Sequence, residues 1–324
     1  MSSRRVAAID CGTNSIRLLI AEVNPVSGSL TDVDRRMEIV RLGEGVDRTG
    51  RLSSEALART FVACDQYAAA IRDRPVESVR FVATSASRDA SNRGEFEAGV
   101  LTRLGVMPEV ISGNEEAALS FRGATRELVQ PFADETGVGS EALARRGPYL
   151  VVDIGGGSTE FVLGTAVPDA SVSVDIGCVR MTERHLRDDP PTDSQIAAAT
   201  ADIDVAIASA GSVVSFATPS TLVGLAGSVT TVAALSLGLG AYDSSKIHRS
   251  VISADEVRRV SDELLGMTRA QRAALPVMHP GRVDVIGAGA LVLRRIVEAT
   301  GAREVLVSEH DILDGIAWSQ VERG

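Results

Sequence analysis

Two short segments of this chain repeat one spacing of acid, glycine and hydroxyl residues. Val6-Ala7-Ala8-Ile9-Asp10-Cys11-Gly12-Thr13-Asn14-Ser15 runs into an apolar stretch from Ile16 to Ile20. Tyr149-Leu150-Val151-Val152-Asp153-Ile154-Gly155-Gly156-Gly157-Ser158 runs into Thr159 to Leu163. Asp10, Gly12 and Ser15 fall on Asp153, Gly155 and Ser158 at a constant offset. Each copy reads as strand, tight turn, strand. Glycines at such a turn let backbone N–H groups face a phosphate without a side chain in the way. Gly12, Gly155, Gly156 and Gly157 supply that freedom, and Thr13, Asn14, Ser15, Ser158 and Thr159 add side-chain donors. Asp10 and Asp153 stand at strand ends, where a carboxylate holds Mg²⁺ or another divalent cation directly or through water. Glu160, on the return strand, is placed to reach the same metal. One such turn is common; two in register at the head of each half point to phosphate binding.

Three further segments carry groups that chemistry can use. Ser112-Gly113-Asn114-Glu115-Glu116 opens a helix, with Ser112 and Glu115 spaced as a capping box. Glu116 has no capping duty, so it is either a general base for water or a first-turn carboxylate favoured by the helix dipole. Both readings stand on the residues alone. Thr84 to Asn92 is a strand-to-helix turn in which Arg88 and Asn92 are one helical turn apart. They share a face that could grip phosphate, although the residues alone favour an ordinary capped helix. Gly224 to Thr231 places a helix start after a glycine turn, so Gly227 and Ser228 either form an anion site or allow close helix packing. His185, His248, His279 and His310 do not pair at metal-ligand spacing. His310-Asp311 lacks partner histidines and reads as a loop. Neither a Gly-x-Ser-x-Gly elbow nor a Gly-x-x-x-x-Gly-Lys loop occurs, which disfavours acyl transfer and P-loop chemistry.

The elements that must position these groups alternate between the two repeats. Ser53 to Arg72 has helical spacing of apolar residues after a serine start. Val79 to Ala83 and Pro108 to Ile111 read as short strands, and Asn92 to Leu104 as a helix. Gln130 to Arg146 is polar and reads as a loop or weak helix near a domain boundary. Leu222 to Leu225 and Val305 to Val307 read as strands, and Ile312 to Val321 as a final helix. The pattern suggests duplicated α/β domains, at 1–130 and 131–324, facing each other across a cleft, with the last helix able to pack back on the first domain.

Composition bounds the partners. The 324 residues suit two domains, and 44% are hydrophobic, ample for a core. A net charge of −10 argues against nucleic acid and anionic membranes. Lysine occurs only at Lys246; the arginine bias follows first from genome composition, and it also suits phosphate. Cys11, Cys64 and Cys178 form no CxxC pair, which fits a reducing cytoplasm. Val205 to Tyr242 carries no charge, yet Pro219 and many small residues mark it as buried strand, loop and helix rather than a membrane span.

Together these motifs resemble the exopolyphosphatase/guanosine pentaphosphate phosphohydrolase (Ppx/GppA) family, in a short form without its C-terminal HD-like domain. The resemblance is carried by Asp10 to Arg17, Val40 to Gly45, Thr84 to Ala90, Ile111 to Ala117, Val152 to Glu160, Ile176 to Arg180 and Ser308-Glu309, in that order along the chain. It implies two duplicated ribonuclease H-like domains of the actin/Hsp70/sugar-kinase superfamily around a central cleft. It implies that Glu116 is the catalytic base, that Asp153 and Glu160 are acidic site residues and that the glycine turns bind phosphate. The expected activity is metal-dependent removal of the terminal phosphate of inorganic polyphosphate, with Arg17 and Arg88 as further phosphate donors. The stop at Gly324 suggests short or medium chains, released often, and a homodimer is expected. The alternatives are hydrolysis of guanosine pentaphosphate, mildly disfavoured by 3% aromatic residues; a phosphotransferase or ATPase of the same fold; and a non-enzymatic sensor of phosphorylated nucleotides, which would need no base at Glu116.

Overall fold

The computed structural model describes residues 3–126 and 147–322. In chain order the first elements are β1 (Arg4–Cys11), β2 (Ser15–Asn24), β3 (Ser29–Ile39), α1 (Val46–Thr49), α2 (Ser54–Asp73), β4 (Ser78–Ala83), α3 (Ser85–Asp89), α4 (Arg93–Leu104), β5 (Glu109–Val110) and α5 (Gly113–Thr125). There follow β6 (Tyr149–Ile154), β7 (Thr159–Gly164), β8 (Pro168–Val174), α6 (Cys178–Arg184), α7 (Asp193–Gly211), β9 (Thr221–Leu225), α8 (Ala226–Ser236), α9 (Ser244–Ile247) and β10 (Val251–Ser253). The chain continues through α10 (Ala254–Gly266), α11 (Arg269–Ala273), α12 (Ile286–Thr300) and β11 (Glu304–Val307) to α13 (Ile312–Glu322). The stretch from 130 to 146, expected as a loop or weak helix, lies outside the described residues.

Two compact units result: Met1–Gly123 with Ile312–Gly324, and Ala124–Asp311. The sheet of the first runs β3-β2-β1-β4-β5. That of the second runs β8-β7-β6-β9-β11, with β10 added at the edge beside β11. In each, the first three strands are antiparallel and the next two join in parallel. The two sheets are therefore one topology used twice, and each is the ribonuclease H-like arrangement.

The strand patterns follow from which faces are covered. β1 is central, so its residues alternate between two apolar faces. Ala7, Ile9 and Cys11 pack with Leu57, Cys64 and Tyr67 of α2 and with Phe96 and Val100 of α4. Val6 and Ala8 pack on the other face with Leu119 of α5 and Ile312, Ile316 and Trp318 of α13. Asp10, two residues beyond Ala8, therefore belongs to the α13 face. In the second unit Leu150, Val152 and Ile154 join the core with Ile203 and Ile207 of α7 and Leu291 of α12, so Asp153 stands on the opposite face.

Caps set the helix starts. Ser53 accepts from the Ala56 amide at 3.1 Å and begins α2, and the Tyr67 hydroxyl donates to the Ile16 carbonyl at 2.8 Å, tying α2 to β2. The uncharged Val205–Tyr242 stretch becomes the end of α7, then β9 and α8, and no helix among the described residues is long and apolar enough to cross a membrane. One expectation fails. α3 ends at Asp89, Ala90 is extended, and α4 begins only at Arg93. Arg88 and Asn92 thus share no helical face. Asn92 instead clamps Leu52, its Oδ1 accepting from the amide at 2.9 Å and its Nδ2 donating to the carbonyl at 3.1 Å.

α13 approaches α5 closely at Gly315, where an added Cβ would run into the Leu119 carbonyl. Backbone cannot yield as a side-chain tip can. Gly315→Ala is expected to cost roughly 1–3 kcal/mol of stability, as overpacking does. Urea unfolding would show this as a lowered midpoint; an unchanged midpoint would mean that the two helices separate freely.

Candidate phosphate and acid site

The two glycine turns close alike. The Gly12 amide donates to the Ser15 carbonyl at 2.9 Å, and the Gly155 amide to the Ser158 carbonyl at 3.0 Å. Each turn is then held from behind through its carbonyls. In the second, the carbonyl of Gly155 accepts from the Cys178 amide at 2.9 Å, and that of Gly156 from the amides of Val179 and Arg180 at 2.9 and 3.1 Å. The Gly157 carbonyl accepts from the Gly177 amide at 3.2 Å and from Arg180 Nε at 2.7 Å. In a trans peptide the N–H points opposite to the C=O. The amides of Gly156, Gly157 and Ser158 therefore aim away from α6, an arrangement suited to an anion. The first turn is backed by segment 40–45: Gly43 donates to the Thr13 carbonyl at 2.9 Å, and Val40 and Arg41 donate to the Asn14 carbonyl at 3.1 and 2.8 Å. Its Thr13 Oγ1 lies 2.8 Å from Ser85 Oγ.

The side chains expected to add donors are distributed differently. Thr159 Oγ1 donates to the Ile176 carbonyl at 3.0 Å, on the supporting side. Ser158 is buried and Ser15 half-buried. Ser228 packs where a Cβ on Gly289 would strike it, and it hydrogen-bonds Cys178, whose thiol burial pushes up. Gly227 lies under the Arg282 guanidinium, which also donates to Thr231 Oγ1 at 3.1 Å. Ala226, the first residue of α8, has φ 66°, a left-handed conformation that a side chain adopts only under strain.

Register explains how the repeat diverges. Asp10 pairs across the hairpin with Arg17, and Asp153 pairs with Glu160. Directly opposed residues share a face of the sheet. In the first copy Arg17 donates to Asp10 Oδ2 through Nη2 at 2.6 Å and Nε at 3.0 Å. Any service of Asp10 to a metal, or of Arg17 to a phosphate, has to part or share this pair. The second copy places two buried carboxylates side by side, Asp153 at 7% and Glu160 at 1% exposure. Glu160 Oε1 accepts from Ser173 Oγ at 2.7 Å. Adjacent carboxylates repel unless they share a proton or a cation. Among the described residues no three or more His, Cys, Asp or Glu side chains gather as a metal cluster. Mg²⁺ needs only one or two carboxylates when waters and substrate phosphates complete its shell, so the Asp153–Glu160 pair fits it.

Glu115 and Glu116 are neighbours on α5 and are held by different arginines. Glu115 Oε1 accepts from Arg80 Nη2 at 2.8 Å, and its amide donates to Ser112 Oγ at 3.2 Å. Glu116 is buried, and its Oε2 accepts from Arg88 Nη1 at 3.1 Å. Arg88 Nη1 also donates to the Ile111 carbonyl at 3.0 Å. Arg88, expected to grip phosphate, is thus bonded through Nη1 to Glu116 and to the backbone of Ile111.

Sequence spacing does not single out Gly177, Arg180, Gly43 or Arg282 as site residues. The blocks around the first three carry the family resemblance, but their duty is to back the turns, and only the folded chain shows it. A Cβ on Gly177 would fall on the backbone of Gly156 and Gly157. Gly177→Ala is therefore expected to push the second turn out of place. Calorimetric titration with tripolyphosphate should show binding about tenfold weaker, in keeping with the loss of charge-assisted hydrogen bonds. Unaltered binding would show that the turn's position does not matter to an anion.

Comparison with known proteins places the chain in a family. The sequence profile of the Ppx/GppA phosphatase family matches residues 19–323. The chain is 50% identical over 330 residues to a Mycobacterium tuberculosis protein named exopolyphosphatase 2, covering 98% of this chain and 99% of that one. A crystal structure described as an exopolyphosphatase-like protein superposes with TM-score 0.92 at 42% identity, covering 100% of this chain and 99% of the other. The Aquifex aeolicus Ppx/GppA member superposes with TM-score 0.80 at 29% identity, covering 99% and 98%. Family membership implies metal-dependent phosphate chemistry. With a profile match across nearly its whole length, the chain belongs to the Ppx/GppA phosphatase family.

Proposed function

We propose that the protein is an exopolyphosphatase that hydrolyses the terminal phosphoanhydride of inorganic polyphosphate and releases orthophosphate. The carrying observation is the second hairpin, where amides aimed away from α6 adjoin a buried pair of carboxylates. Such a turn receives phosphate oxygens, and such an acid pair calls for a cation. The relative named exopolyphosphatase 2, at 50% identity, supports the same reading.

In this reading the amides of Gly156, Gly157 and Ser158 hold a phosphate of the chain end. Asp153 and Glu160 hold Mg²⁺ or another divalent cation. A bound cation supplies neutralisation of charge on the phosphate oxygens. Glu116 accepts the proton of the attacking water, and Arg88 keeps its carboxylate directed. The first turn, from Gly12 to Ser15, offers a second set of donors. Catalysis then rests on positioning and charge stabilisation more than on covalent chemistry. A cytoplasmic location fits the buried free thiols of Cys11, Cys64 and Cys178. A homodimer and a preference for short chains complete the proposal. Phosphate release across polyphosphate lengths and guanosine pentaphosphate, with Mg²⁺ varied, tests it as a whole. Release from guanosine pentaphosphate alone would replace it.

Two substitutions separate the roles. Glu116→Gln keeps the acceptor for Arg88 but cannot take a proton. Turnover should fall about 10²–10⁴-fold with substrate affinity nearly unchanged. Full turnover in this variant would remove Glu116 as base. Asp153→Asn or Glu160→Gln should raise the Mg²⁺ concentration needed for half-maximal rate. A lower rate at an unmoved midpoint would give these carboxylates a positional duty only.

A further inference from the structure

The first unit carries a cavity of about 600 Å³ that the catalytic reading does not use. Its wall brings together Arg48 from α1, Arg51 from the following turn and Arg59 from α2, along with Glu44, Ser53 and Glu55. Three arginines against two glutamates on one cavity wall stand out in a chain of net charge −10. Arg48 is exposed and takes no carboxylate among the described residues. Arg51 lies 3.5 Å from Glu95, and both are more than half exposed, so that pair is weak. Arg59 is built in more firmly. Its Nη2 donates to Glu44 at 2.8 Å and its Nε to the Val40 carbonyl at 2.8 Å.

Val40 and Glu44 belong to the segment that backs the first glycine turn. Val40, Arg41 and Gly43 bond the carbonyls of Asn14 and Thr13, while Glu44 and Gly45 line the cavity. One end of the segment therefore touches the turn and the other end the arginines.

We propose that this cavity is a second phosphoanion site, taking an oligophosphate of two or three phosphates and coupled to the first turn through residues 40–45. Guanidinium forks match phosphate oxygens in pairs. A polyvalent phosphate competes with the singly charged Glu44 for Arg59, which the half-exposed Arg59–Glu44 pair permits. Arg59 retains its bond to Val40 during this exchange, so occupancy is felt by the backing of Thr13 and Asn14.

The experiment is calorimetric titration of the full chain with a methylene-bridged triphosphate, which cannot be hydrolysed. Two sites per chain are expected. Arg48→Ala with Arg51→Ala should weaken one of them about tenfold and leave the other. Glu44→Gln, which removes the competitor for Arg59, should tighten the same site. If the glycine turns fail to bind, a single site remains and the arginine variant weakens it, which separates this failure from failure of the cavity. Affinities unmoved by both variants would overturn the proposal. Orthophosphate binding there as tightly as the triphosphate would overturn the oligophosphate assignment.

Discussion

A peptide whose carbonyl is bound on one side must present the neighbouring N–H on the other, and the candidate site depends on that constraint. The second turn shows it fully. The first residues of α6 and the Arg180 guanidinium take the carbonyls of Gly155, Gly156 and Gly157. The following amides have no choice of direction, and preorganised amides lose little on meeting an anion. Close approach of α6 is possible because Gly177 has no side chain. Much of the local architecture serves this backing: β8 delivers the chain to Ile176, whose carbonyl takes Thr159, and α6 starts immediately afterwards.

Duplication supplied two such turns, and divergence at one register position gave them different electrostatics. Arg17 and Glu160 occupy equivalent places across from Asp10 and Asp153. An arginine there makes a neutral ion pair within the first unit. A glutamate there sets two buried carboxylates side by side. The same backbone thus carries an acid–arginine pair across one hairpin and an acid–acid pair across the other.

The neighbouring glutamates of α5 show a similar division. Successive helical residues point about 100° apart, so Arg80 captures Glu115 and Arg88 captures Glu116. Two residues of one type, side by side in the chain, receive separate duties from the partners that tertiary structure brings. Arg88, a candidate phosphate ligand by sequence, is also bonded through Nη1 to the Glu116 carboxylate.

The hairpins, the helix from Ser54 to Asp73, the strands at 78–83 and 221–225 and the last helix were legible in the sequence because local signals specify them: alternation, helical apolar spacing, glycine turns and a serine cap. The Asp10–Gly12–Ser15 and Asp153–Gly155–Ser158 spacing marked the two turns for the same reason, since a turn's chemistry lies within a few residues. The break between α3 and α4 was missed because the pull of Asn92 on Leu52 acts between residues 40 positions apart. What only the tertiary structure decided were the partnerships: Arg17 with Asp10, Arg88 with Glu116, Arg282 over Gly227 and Gly177 against Gly156. Arg88, Gly177 and Arg282 meet partners 21 to 55 positions away, and Arg17 meets Asp10 only because the hairpin register sets it opposite. A residue's type states which bonds it can make, and the folded chain determines which partner is near enough to make them.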